Sequence, residues 1–257
     1  MMNAELIGLI ILFFVTSVVG VVTGSNSLIT VPAMFQFGID GKEAIATNMF
    51  GLTFMAIGGT IPFLRQGKIE PKRLSPLIIV TLIGSALGAL LVGYITNSAI
   101  KLIVSIAMFV VVAFTLFKPQ RRSQTDEAEI AEVPHRSLWN YPLGIVITFL
   151  LAIYGGLYSG GYVTVLTASF IGFLGMNYAE SVGSTKLVNV FSSGIATVVF
   201  MGQGLVNYKL GAVLAVTMFI GAYVGAHYAT KMNEVWLKRI FLGSVVLLAI
   251  KTLYDYV

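Results

Sequence analysis

The chain has 257 residues, of which 57% are apolar and only 11% charged, with a mean hydropathy of +0.90 and a net charge of +5. A soluble domain carries about 25% charged residues, so this composition excludes an ordinary soluble enzyme and points to a polytopic membrane protein. The lack of cysteine excludes disulfides, thiolate nucleophiles and Cys-ligated metal centres, and two histidines cannot build much of a metal site, so neither cofactor nor metal is expected.

Taken in chain order, apolar runs near 5–22, 43–64, 75–96, 98–117, 141–158, 180–201, 209–230 and 236–254 each approach the roughly 20 residues that cross a hydrocarbon core. The first run has no basic residue before it and no small-x-small cleavage site after it, and so reads as a retained helix rather than a secretory signal. After it, Thr23-Gly24-Ser25-Asn26 leads into a short apolar segment, Ser27 to Phe37, interrupted by Pro32. In the second half Ser159-Gly160-Gly161-Tyr162 leads into Val163 to Leu174. About 11 residues at 1.5 Å each reach only half-way through a bilayer, so both segments are predicted to be re-entrant half-helices. Backbone that breaks at membrane depth is tolerated where it lines a protein or water-filled cavity. The stretch Lys118 to Asn140 is the one sizeable polar segment and reads as a solvated linker.

The two sides of that linker are weak copies of one another. From Gly38 to Lys101 the first half aligns without a gap to residues 137 positions later, and 14 of these 64 pairs are identical, among them Glu43/Glu180, Gln66/Gln203, Lys72/Lys209 and Gly88/Gly225. The expected fold is therefore an all-α polytopic membrane protein: a first repeat over 1–118, a polar cytoplasmic linker over 119–140 and a second repeat over 141–257. Each repeat is predicted to hold about four transmembrane helices plus one short half-helix. A duplicated membrane unit is the ground plan of many secondary transporters, with the substrate held near mid-membrane where the copies meet. Whether the copies run parallel or inverted stays open.

Lysine and arginine favour the cytoplasmic side. Placing the turns near 65–73, 118–136 and 202–209 and the C-terminus inside gives a ten to five bias and puts both termini in the cytoplasm. The basic residues thus serve orientation, and no nucleic-acid partner is expected; the partners are the lipid bilayer and a small substrate, with a homo-oligomer as a further candidate and oligomeric state open. The stripes Gly84-Ser85-Ala86-Leu87-Gly88-Ala89 and Gly221-Ala222-Tyr223-Val224-Gly225-Ala226 are expected to pack helices closely.

All eleven acidic residues fall at ends or loops, so no span carries the mid-helix carboxylate that a cation carrier usually needs. The substrate is then expected to be an anion. Free N–H groups and the positive dipole end at a helix start make an anion site, and glycine allows close approach. By that argument Gly24, Ser25, Asn26 and Ser27 face Ser159, Gly160, Gly161 and Tyr162 across a cleft. Thr47, Asn48, Ser184, Thr185 and Lys186, in the first turns of the following spans, are the next candidates. Lys186 is the most telling, because its counterpart is Met49; charge-pairing with substrate and snorkelling to the interface are its two readings. Asn189, one turn on, either lines the same face or bridges helices. His227 is a candidate for proton coupling, with a neutral, hydrogen-bonded imidazole as the alternative. Glu43 and Glu180 are either first-turn acids matched to the helix dipole or gates.

These residues resemble the sulfite exporter TauE/SafE family. The resemblance rests on Gly20 to Ser27 with Pro32 and then Ala46-Thr47-Asn48 in the first half, on Gly156 to Tyr162 and then Gly183-Ser184-Thr185 in the second, on the turn Phe63 to Glu70, and on Gly221 to Ala226. Both glycine clusters are shorter than the family's triple glycine, Ala168 stands where the second segment would carry proline, and Gly183-Ser184-Thr185 reverses the usual order. The resemblance implies export of sulfite or an organosulfonate such as sulfoacetate across the cytoplasmic membrane by alternating access, with proton coupling. It implies no catalysis. A passive anion channel is the alternative, and an intramembrane enzyme a more remote one, since no carboxylate cluster or thiol is present to serve it.

Overall fold

The computed structural model describes residues 3–24, 26–65, 69–117, 141–176 and 178–228. The linker, Ser25 and the run at 236–254 lie outside these residues. The described residues form helices and no strand: α1 (Asn3–Thr23), α2 (Ser27–Gln36), α3 (Gly41–Arg65), α4 (Ser75–Tyr94), α5 (Asn97–Phe117), α6 (Pro142–Leu157), α7 (Tyr162–Leu174), α8 (Tyr178–Gly202) and α9 (Tyr208–Tyr228). Among them α3, α4, α8 and α9 are long and apolar enough to cross a membrane, while α1, α5 and α6 coincide with further predicted runs but offer shorter apolar stretches. Polarity is distributed as in a membrane protein: Thr47, Asn48, Ser85, Thr148 and Ser193 are buried, and Ile79, Ile83, Leu87 and Leu90 of α4 point outward.

The short helices owe their limits to local sequence. Gly161 and Gly175 sit at either end of α7 with φ of 78° and 66°, a left-handed conformation that ends a helix at little steric cost in glycine. Each short helix folds back on the one before it. A Cβ on Gly20 would lie 2.9 Å from that of Asn26, and Gly8 lies close to Phe37, so α1 and α2 run antiparallel. In the second half Gly155 meets the ring of Tyr162 and Gly144 meets Leu174, so α6 and α7 do the same. The tips of the two hairpins touch, with Gly24 against Val163 and Thr164.

Around the hairpins, α3 and α8 cross in opposite directions. The two threonine hydroxyls Thr53 and Thr197 lie 3.0 Å apart at their contact. At one end of the bundle Asn207, in the α8–α9 turn, donates its backbone N–H to Thr47 (3.0 Å) and its side-chain amide to Glu43 (2.8 Å). At the other end Arg73, in the α3–α4 turn, forms an ion pair with Glu180 in the first turn of α8. The turns near 65–73 and 202–209, expected on the same side, therefore lie at opposite ends of the bundle. The reason is geometric: α1 and α2 return the chain to the end where α1 began, leaving three net passages in the first half, so the second half starts from the opposite end.

The small-residue stripes are the closest helix contacts. α4 packs on α6 and α9 on α1. A methyl on Gly88 would fall 2.0 Å from the Ile153 carbonyl oxygen, one on Gly156 would fall 2.1 Å from that of Ser85, and one on Gly225 2.3 Å from that of Val18. Without a hydrophobic drive between helices in lipid, such backbone-to-backbone approach supplies the dispersion that holds them.

Candidate functional site

The starts of α2 and α7 meet α3 and α8 around a cavity of about 30 Å³. Gly20, Val21, Gly24, Asn26 and Ser27 of the first hairpin line it, together with Ser159 and Val163 of the second. Leu52, Met55 and Ala56 of α3 form one wall, and Lys186 and Asn189 of α8 form another. On the order of two water molecules fit such a space.

Hydrogen bonds between the tips set this shape. The hydroxyls of Ser27 and Ser159 lie 2.7 Å apart, directly joining the two hairpins. Asn48 donates to the Ser27 hydroxyl (2.9 Å), Thr30 donates to the Asn48 carbonyl oxygen (2.6 Å), and the Tyr158 hydroxyl donates to the Ser27 backbone carbonyl (3.0 Å). In the second half Thr167 and Thr185 approach to 3.1 Å. The pairs Thr30–Asn48 and Thr167–Thr185 stand 137 positions apart, the offset that aligns the sequence from Gly38 onward and that the structure extends back to Thr30.

Lys186 gives the cavity its charge. It is 5% exposed, lines the wall instead of reaching a bundle end, and has no hydrogen-bond or ionic partner among the described residues. The α3 wall is hydrocarbon, and no carboxylate is among the described lining residues. A buried cation without a counter-charge is costly and is relieved by an anion with hydrogen-bonding oxygens. The starts of α2 and α7 border the same space and add dipoles of the same sign. What this arrangement can do is hold one small anion between two helix starts, an ammonium and the amides of Asn26 and Asn189.

Of the sequence-predicted residues, Gly24, Asn26, Ser27, Ser159, Lys186 and Asn189 line the cavity. Asn48 sits one layer behind, bonded to Ser27, and Thr185 is likewise engaged with Thr167. Thr47 is at the bundle end, accepting from Asn207. Ser184 is buried outside the lining. Gly160 packs on the Tyr158 ring while its carbonyl accepts from Tyr154, Gly161 shapes the start of α7, and Tyr162 is fully buried against Gly155. His227 occupies the exposed last turn of α9, edge-on to Tyr228 and outside the lining. Ser25 lies outside the described residues. Sequence reasoning missed Gly20, Val21, Leu52, Met55, Ala56, Val163 and the bridging Tyr158. Gly20 carried a signal as the counterpart of Gly156, and Leu52 as the position 137 before Asn189.

The model of the family described as "Sulfite exporter TauE/SafE" matches residues 9–252. Among curated proteins, the chain is 25% identical over 242 residues to the probable membrane transporter protein ORF9 of Sinorhizobium sp., covering 94% of this chain and 90% of that one. It is 24% identical over 248 residues to the probable membrane transporter protein YfcA of Escherichia coli K12 (95% and 89%) and 22% identical over 245 residues to the probable membrane transporter protein YdhB of Bacillus subtilis (93% and 96%). No solved structure matches it.

Proposed function

This chain belongs to the sulfite exporter TauE/SafE family of membrane transporters, and from that premise we propose that it is a secondary transporter exporting a small sulfur-containing anion, sulfite or an organosulfonate, across the cytoplasmic membrane. The observation that carries the reading is Lys186, a buried ammonium without a partner among the described residues, set in the wall of a cavity between two helix starts. An anion carrier needs such a charge, and a structural lysine at this depth would have acquired a carboxylate.

The two halves are read as inverted repeats. In each, a re-entrant hairpin (α1–α2, α6–α7) delivers its tip to the cavity and long helices enclose it; the α3–α8 crossing and the matched pairs Thr30–Asn48 and Thr167–Thr185 support this. Loading requires the tips to part, because the cavity in this conformation is smaller than a sulfonate and Ser27 is tied to Ser159. Alternating access then consists of one hairpin moving against the other.

Orientation follows from charge. The α3–α4 turn carries Arg65, Lys68, Lys72 and Arg73, and the sequence between the end of α5 and the start of α6, which both lie at that end, carries Lys118, Arg121, Arg122 and Arg136; Lys42, Lys101 and Lys209 belong to the opposite end. The basic end is assigned to the cytoplasm. The start of α1 then faces outward, which replaces the expectation of a cytoplasmic N-terminus.

The test is thermal unfolding of the purified protein in the presence of sulfite, sulfoacetate, 2-hydroxyethanesulfonate and simple carboxylates, followed by uptake and efflux in proteoliposomes. A selective ligand raises the apparent unfolding temperature by mass action. A protein stabilised by none of these anions would defeat the reading.

A further inference from the structure

We propose that the anion taken into this cavity is a monoanion bearing its own hydrogen-bond donor, a hydroxyl close to the charged group, and that Asn26 is the residue that selects for it. The inference rests on the anion-site reading above and narrows its substrate. Asn26 borders the cavity, is 4% exposed, and has no hydrogen-bond partner on either side-chain amide atom. It also stands at the N-cap position of α2, where asparagine ordinarily accepts an N–H from the first turn of the helix; its side chain makes no such bond here. Close packing against Gly20, 2.9 Å from where a Cβ would be, holds it there instead.

A buried amide with neither its donor nor its acceptor satisfied is rare, because each open position costs desolvation without return. An anion whose polar atoms are all acceptors can take the Nδ2–H and the ammonium of Lys186, yet it offers Oδ1 only lone pairs. A hydroxyl on the anion fills Oδ1 as well, and since both amide positions are open, turning the amide over leaves this requirement unchanged. Charge sets the other half of the specificity. Lys186 is the single ionisable residue among the described lining residues, with Leu52, Met55 and Ala56 making up the α3 wall, so one negative charge is balanced and a second is buried alone.

The experiment compares 2-hydroxyethanesulfonate with 1-propanesulfonate, which puts a methyl where the hydroxyl was, and with sulfate as the dianion, each titrated against thermal unfolding of the purified full chain. The hydroxyl compound is expected to bind at least about tenfold more tightly than its methyl analogue, the difference made by one buried acceptor left unfilled, and sulfate more weakly than the hydroxyl compound. In Asn26→Leu the ratio between the two sulfonates should collapse to about one. Equal stabilisation of the unmodified protein by both sulfonates overturns the role of Asn26 and leaves the anion site standing, a test that needs no variant to fold. A ratio that survives in Asn26→Leu also overturns it, and tighter binding of sulfate overturns the monoanion. Stabilisation by none of the three removes the anion site itself.

Discussion

The α3 and α8 walls of the cavity occupy positions 137 apart in sequence, and comparing them separates two kinds of residue. On the α8 wall stand Lys186 and Asn189; at the corresponding places in the first half are Met49 and Leu52, with Leu52 lining the cavity beside Met55 and Ala56. Behind the walls the match persists, since Thr30 bonds Asn48 where Thr167 meets Thr185. The hydrogen bonds that fasten each short helix, α2 or α7, to the long helix after it occur in both halves, where they satisfy buried polar groups. The residues facing the cavity differ instead: one wall is hydrocarbon and the other carries an ammonium and an amide.

The strongest way to break this comparison is to make the walls alike. Lys186→Met, copying Met49, is expected to weaken anion binding about a hundredfold or more by removing the charge that the ligand pairs with. The apparent unfolding temperature of the ligand-free protein should hold or rise, because an unpaired buried ammonium is lost. Titration calorimetry with the best-stabilising anion and a thermal scan without it check the two halves of that statement; retained affinity would remove Lys186 from the site.

On the framework side the largest effect is expected from Gly88→Val, whose side chain meets the Ile153 carbonyl and must push α4 from α6. It should destabilise by about 3 kcal/mol, as overpacking against backbone does. Gly172→Ala, in open space, should not destabilise at all. Equilibrium unfolding in detergent distinguishes the two. Next comes Asn189→Leu, which copies Leu52 and should reduce affinity about tenfold by deleting one hydrogen-bonding group, with little change in stability. Smallest are the ties at the bundle ends. Arg73→Ala and Asn207→Ala are each expected to cost about 0.5–1 kcal/mol, and high salt should shrink only the Arg73 effect, since screening acts on an ion pair.

How much of this was legible beforehand depended on the kind of residue. The broken segments stood out because glycine, serine and asparagine interrupt hydrocarbon, and Lys186 because an ionisable residue in an apolar helix has few reasons to be there. Leu52, Met55 and Ala56 gave no such contrast, since an apolar side chain facing a cavity is written like one facing lipid. Thr185 and Lys186 are neighbours in sequence, but about 100° apart around the helix, so that one braces α7 while the other reaches the cavity. The placement of the turns failed for a different reason: charge alone cannot reveal that α1 and α2 bring the chain back to its starting end. That hairpin reverses the orientation of everything after it.

The odd number of net passages in the first half also has a practical side. Because α1 begins at one end of the bundle while α5 finishes and α6 begins at the other, a reporter enzyme fused ahead of Asn3 and the same reporter inserted between Phe117 and Tyr141 belong to opposite compartments. If the basic end is cytoplasmic, as proposed, a label that reacts only outside the cell should reach the front of the chain and spare the loop in the middle.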